Sequence, residues 1–243
     1  MMPVTPSLPQ LSPLSWLLAY FCRAALVNSG DANTARFTVL PFLQQQGINQ
    51  LDWAIATNLQ STTYAGWLEI LQRLPVKTFY EHPYTQKNAT INPAIQNAIQ
   101  RCRGSYQLLN TGQMVSAGST GVQLIDAEAP MLHLQIHGQA WLLLGNLKPN
   151  EQKKLAVTEH LPHAQVLWWS GESLATDLLQ RLKPEVAIAS SPTLNPNTAS
   201  RLRQAKTQLF WTQKDGAIQW TPSGKFEATI EATEKKYLPF LNS

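Results

Sequence analysis

The sequence predicts an α/β layered fold, and three observations carry that prediction. Short apolar strands alternate with amphipathic helices from Ala25 to Tyr80. A similar alternation returns between Glu151 and Thr212, after a β-rich middle from Tyr106 to Leu144. The 243 residues are 44% hydrophobic and only 14% charged, enough apolar surface for a sizeable core and too little charge for disorder.

Taken in order, Pro3, Pro6, Pro9 and Pro13 mark an irregular leader, and Ser15 to Phe21 suits either a short helix or a buried strand. Ala25 to Val27 reads as a strand that ends in the turn residues Asn28, Ser29, Gly30 and Asp31. Thr34 to Gln45 follows as a helix, with Pro41 at its start or at a bend and Gly47 as a left-handed cap. Leu51 to Thr57 is apolar enough for a strand buried on both faces, as in a parallel sheet. Tyr64 to Leu74 places Trp67, Leu68, Ile70, Leu71 and Leu74 on one helical face, which Pro75 ends before the strand Val76 to Tyr80. Asn92 and Pro93 open a helix to Arg103, closed by Gly104.

Tyr106–Leu109, Gly121–Asp126, Met131–Ile136 and Ala140–Leu144 read as strands, the last two joined by a turn at His137, Gly138 and Gln139. Helices are expected at Glu151–Ala156, Leu174–Leu182 and Thr198–Gln204, and strands at Gln165–Trp169 and Val186–Ser190. A closing hairpin is expected from Gln208–Thr212 and Ala217–Thr221, turned by Lys214, Asp215 and Gly216.

Net charge is +4 with a pI near 9.1, compatible with a polyanionic partner without requiring one. Cys22 and Cys102 are too few and too far apart for a disulfide framework or a cysteine zinc site, so a reducing compartment fits. Leu11 to Val27 is interrupted by Pro13 and Arg23 and falls short of a membrane span; no basic residue precedes it as in a signal peptide.

Several stretches resemble the C-terminal metallo-β-lactamase-like domain of ComEC-type DNA-uptake proteins. LVNSGD, ending at Asp31, is similar to the family's L-[IV]-D-[TS]-G strand end. FTVLPFLQQQGINQLDWAIAT, Phe37 to Thr57, resembles the helix, glycine and strand that lead into its metal motif. LLLGNL resembles "fLLtGDl", VLWWSGES stands in the place of "vLkvgHHGS", and PEVAIASSPTLNP and TQKDGAIQW resemble the closing strands. The family's opening V-G-Q-G-D strand and turn are missing. The resemblance therefore implies a metallo-β-lactamase-like αββα sandwich that lacks or alters its first strands. The expected organisation is a leader over 1–24, irregular or apolar, the domain over 25–230 and a tail over 231–243.

The family motif T-H-x-D-x-D-H-x-G-G, laid from Thr57, puts Asn58 and Thr63 at its histidines, Gln60 and Thr62 at its aspartates and Gly66 at its last glycine. Asn146 stands where an aspartate bridges two metals, and Trp169 and Ser170 where two further histidines belong. Two dications that ionise a bridging water need anionic carboxylates and imidazole nitrogens. Amides and hydroxyls supply neither, so these seven positions predict no bound metal and no metal-dependent nuclease activity.

The histidines offer no substitute set by spacing. His133 and His137 fall on a strand and its turn, Pro162 interrupts Glu159, His160 and His163, and His82 precedes Pro83 in a loop. No G-x-S-x-G elbow, P-loop or G-x-G-x-x-G is present, and Ser119 reads as a turn residue. Trp168 with Trp169 suits either a base-stacking platform or alternate core packing.

Three functions compete. The first is an inactive domain of a bacterial DNA-uptake protein, cytoplasmic or peripheral to the membrane, serving as a scaffold for single-stranded DNA or a membrane-channel component. The second is a hydrolase or nuclease with a relocated metal site, and the third is a protein-interaction module docking through Trp16 to Phe21.

Overall fold

The computed structural model describes residues 16–20, 23–57, 61–82, 93–117, 119–126, 131–159, 161–221 and 223–229. The expected tail over 231–243, the proline-marked leader before Ser15, and the cap Asn92 lie outside them. The chain divides into two compact units, the first ending at Leu108 and the second beginning at Leu109.

The first unit holds a five-stranded sheet in the order β1(Trp16–Tyr20), β2(Arg23–Val27), β3(Leu51–Ala56), β4(Val76–Glu81), β5(Ser105–Leu108). β1 lies antiparallel to β2, so Trp16–Tyr20 is strand rather than helix; the other pairs are parallel. Parallel neighbours require crossovers, and helices supply them. Between β2 and β3 run α1(Ala32–Thr34), a π-helical turn over Ala35–Val39, and α2(Leu40–Gln45). The π turn widens the helical ladder just before Pro41, which has no N–H to donate and crowds the carbonyl four residues back. Gly47 caps this run at φ +70, with Ile48 N–H donating to Leu43 O at 2.9 Å.

α3(Ser61–Arg73) joins β3 to β4, and α4(Pro93–Arg101) joins β4 to β5. α3 begins three residues before the expected Tyr64, and α4 ends two before the expected Arg103. Trp67, Ile70 and Leu71 of α3 bury against Leu26, Ala54 and Phe79 of the sheet, and Trp67 meets Phe79 edge-on at 5.0 Å. After α4 the left-handed residue is Arg103, at φ 55, not Gly104. Gly104 answers a different need: a Cβ there would lie 2.2 Å from the Val76 carbonyl oxygen.

The second unit holds a seven-stranded sheet in the order β12-β11-β10-β9-β8-β7-β6. β6(Met114–Ala117), β7(Thr120–Asp126), β8(Met131–Ile136) and β9(Gln139–Leu144) form an antiparallel meander. His137 and Gly138, both at positive φ (50 and 82), make the two-residue turn between β8 and β9. From β9 the sheet turns parallel through β10(Val166–Trp169), β11(Val186–Ala189) and β12(Gln208–Trp211). The crossovers are α5(Pro149–Val157), α6(Thr176–Leu182) and α7(Pro196–Gln204). Leu155, Leu178, Leu182 and Leu202 from these helices bury with Leu142, Leu167, Trp169 and Ala187.

The expected closing hairpin does not form. β12 is the edge strand beside β11, and α8(Thr212–Asp215) then turns the chain, with the Asp215 carboxylate accepting from Trp211 N–H at 2.7 Å. β13(Ile218–Trp220) pairs instead with β14(Phe226–Ala228). Trp220 and Phe226 of this ribbon both pack on Trp141, with centroids 5.8 and 5.5 Å away. Sequence reading missed β6 and β14, which are four and three residues long and carry little period of their own.

Candidate functional site

In the first unit, the positions that the resemblance sets against the family's metal motif follow the carboxyl end of β3. Asn28 ends β2 at φ 58, a left-handed conformation that asparagine tolerates. Its N–H donates to Ile55 O at 2.8 Å, and its side-chain oxygen accepts from the Thr57 N–H (2.9 Å) and hydroxyl (3.0 Å). The carboxamide thus fixes where the chain leaves β3. Ser29 is fully buried, its hydroxyl 3.0 Å from the carbonyl oxygens of both Gly30 and Thr63. Asp31 caps the following helix by accepting from Thr34 N–H at 2.7 Å, and these hydrogen bonds lower its pKa.

Thr62 is exposed and Thr63 half-buried, both on the first turn of α3. Asn58 and Gln60 lie outside the described residues. Gly66, at the motif's last glycine, admits no side chain. A Cβ there would stand 2.2 Å from Gly30 O, 2.7 Å from Ser29 Oγ and 3.0 Å from Asp31 O. The start of α3 is therefore seated directly on the loop after β2.

The second unit carries Asn146, Trp169 and Ser170. Asn146 is exposed in the loop after β9. Trp169 is 1% exposed, packed into the helix-covered core, and its indole N–H donates to Glu172 O at 3.1 Å. Ser170 is half-buried beside it. Trp168 is half-buried on the opposite face of the strand, so the tandem tryptophans do not share one platform. Gly171 sits at φ +82 with a Cβ position only 2.7 Å from Thr193 O.

A hub that sequence reading missed is Gln152. It is 5% exposed, donates to Leu147 O (3.0 Å) and Ser173 O (2.9 Å), and accepts from Ala175 N–H (2.6 Å). It thereby ties the loop that bears Asn146 to the loop that follows Trp169 and Ser170. Its only trace in the sequence is a glutamine one position after the acidic Glu151 of α5.

The residues present do not suit a pair of dications. Thr62, Thr63, Asn146 and Ser170 bring no charge, and the Trp169 nitrogen is a donor already engaged. Among the described residues, no three His, Cys, Asp or Glu side chains come together as a ligand set. His133 is 8% exposed on β8, and burial lowers its pKa despite a hydrogen bond with the His163 backbone. His137 lies in its turn beside Ser119 Oγ, which is 3.1 and 3.2 Å from the two ring nitrogens. An oxygen nearly equidistant from both nitrogens is in line with neither, so this pair lacks the geometry of a nucleophile and its base. His160 lies outside the described residues.

No family model and no curated protein matches the sequence. Solved structures do match. Zn-bound PqqB from Methylobacterium extorquens superposes with a TM-score of 0.52 at 12% identity, over 83% of this chain and 84% of that one. The metallo-β-lactamase-fold protein YhfI from Bacillus subtilis gives 0.53 at 10% identity, over 82% and 88%.

The fold is that of the metallo-β-lactamases.

A mutant of the CmlA β-hydroxylase gives 0.52 at 13% identity, over 83% of this chain and 51% of that one. Identities this low establish the architecture alone. Within that metallo-β-lactamase architecture, the loops after β2, β3, β9 and β10 hold the positions discussed above. No helix among the described residues is long and apolar enough to cross a membrane.

Proposed function

We propose that this chain is a catalytically inactive metallo-β-lactamase-like domain of a ComEC-type DNA-internalisation protein, acting as a binding or assembly scaffold. One observation carries the reading. At both aligned metal motifs the glycines are held by close packing, Gly66 on Gly30 O and Gly171 on Thr193 O, while neighbouring ligand positions carry Thr62, Thr63, Trp169 and Ser170. Loss of ligands with retention of steric glycines is the pattern of a scaffold kept for its shape. The Asn28 side-chain oxygen, accepting from Thr57 N–H, and the Ser29 hydroxyl, donating to Thr63 O, do the local fastening.

Single-stranded DNA is the partner that the resemblance and the net charge of +4 favour, with a membrane-channel component as the other candidate. Fluorescence anisotropy with a labelled oligothymidylate tests this across a salt series. Binding at low salt that weakens steeply as salt rises supports the DNA version. Absence of binding at low salt removes it and leaves the channel component. Cleavage of DNA that requires an added divalent ion refutes the inactive reading altogether.

A further inference from the structure

We propose that the C-terminal ends of α5, α6 and α7 form the surface on which the second unit takes the phosphate backbone of DNA, an inference that rests on the DNA reading above. The three helices run back from the carboxyl ends of β9, β10 and β11, so their last turns gather at the amino ends of the strands that follow. Hydrogen bonds join these ends in sequence. Arg181 of α6 donates to Ala156 O at the end of α5 (2.9 Å), and the Thr207 hydroxyl after α7 donates to Pro184 O after α6 (2.8 Å).

Six cations stand on these ends, all exposed: Lys153 and Lys154, Arg181 and Lys183, Arg203 and Lys206. Two exposed acids, Glu159 and Glu185, stand among them, and none of the six cations forms an ion pair among the described residues. The balance reverses at the other end of the same helices, beside the loops that carry Asn146 and Ser170. There Glu151, Glu172 and Asp177 outnumber Lys148 and Arg201, whose guanidinium lies 3.5 Å from Leu174 O. The field of the unit therefore draws a polyanion to the helix C-termini and away from the positions aligned with the metal motif.

Helix dipoles favour cations in a last turn, and Lys154, Arg181 and Arg203 meet that preference. They leave Lys183 and Lys206 unexplained. Both follow their helices at left-handed φ, 41 and 60, where glycine is free of the strain that a side chain brings. Cations spread over three adjoining ends suit a run of phosphates better than a single anion. Among the described residues, Val157 is the one large apolar side chain exposed there, too little for the apolar face that a membrane-surface helix buries in lipid. No exposed aromatic ring of the described residues accompanies the cations for bases to stack on, so the contact is with phosphates and independent of sequence.

Anisotropy of a labelled oligothymidylate on the full-length chain tests the surface with two triple variants. Lys183→Gly, Arg203→Gln and Lys206→Gly remove three charges from the helix ends; Lys148→Gln, Lys214→Gln and Lys225→Gln remove as many from exposed positions elsewhere in the unit. The first set should lower affinity about tenfold or more at low salt and reduce the slope of log affinity against log salt by about 2, while the second changes affinity about twofold or less. Because glycine suits both left-handed positions, the first variant should melt close to the parent, which separates lost binding from lost folding. Parent binding that the first set leaves unchanged, or equal loss in both sets, overturns the proposal and leaves the DNA reading standing. A parent chain that binds no DNA at low salt ends both. Tighter capture of phosphatidylserine vesicles than of oligothymidylate, abolished by the first set, makes the partner a membrane surface and overturns the proposal as well.

Discussion

Gly66→Ala sets two opposing effects against each other, and their sizes differ enough for the sign to decide. In an ordinary helix interior, alanine is favoured over glycine by about 0.8–1 kcal/mol. Here the new methyl would sit 2.2 Å from Gly30 O, more than an ångström inside normal contact, and 2.7 Å from Ser29 Oγ. Gly30 belongs to backbone pinned by the Asn28 and Asp31 hydrogen bonds, so it does not yield as a flexible side chain would. Overpacking of this kind costs about 1–3 kcal/mol or more, and forcing the loop apart also breaks the Ser29–Thr63 hydrogen bond, worth about 1 kcal/mol. The net expectation is a loss of about 2 kcal/mol, or roughly 4–8 °C in Tm for a chain of this size. Urea unfolding followed by circular dichroism measures it, with Ala65→Gly as the reference for helix propensity alone. A Gly66→Ala chain as stable as the parent, or more so, would refute the seating of α3 on the loop after β2.

Three further outcomes follow from the same geometry. Gly171→Ala should cost about 2 kcal/mol or more, because it combines a left-handed φ with a Cβ 2.7 Å from Thr193 O; an unchanged urea midpoint would count against that turn. Gln152→Ala should cost about 3 kcal/mol, since it strands two carbonyls and the Ala175 N–H in partly buried loops, and hydrogen exchange at Ala175 should accelerate. His133 is held below its ordinary value of 6.5, so the unfolded chain binds the proton more readily. Its stabilising contribution is complete above about pH 6.5 and declines as pH falls towards the lower folded value. A His133→Gln chain should show a flatter Tm between pH 7.5 and 5, and an identical slope in both chains would exclude His133 as the cause.

The layered α/β plan was legible because its long helices and doubly buried strands carry strong period signals, as Trp67, Ile70 and Leu71 show in α3. The misreadings have physical causes. β12 and β13 looked like partners because Lys214, Asp215 and Gly216 read as a hairpin turn, yet Thr212–Asp215 forms α8 and β13 pairs with β14. Gly104 was expected to close its helix, but the left-handed residue there is Arg103, and Gly104 leaves room for the close approach of Val76 O. At the candidate site, Thr62, Thr63, Asn146, Trp169 and Ser170 were singled out by the resemblance to the motifs of ComEC-type proteins, not by spacing or composition. Tertiary contacts that sequence does not display account for the rest: the burial of Trp169, the Asn28–Thr57 tie and the Gln152 hub.

Metal content by plasma mass spectrometry is the most direct measurement. The full-length chain would be purified without chelator, incubated with zinc or manganese, desalted, and assayed in parallel on single- and double-stranded DNA. A scaffold with neutral side chains at its ligand positions should retain far less than one equivalent and leave the DNA intact. Two tightly held equivalents per chain, with cleavage that a chelator abolishes, would contradict it.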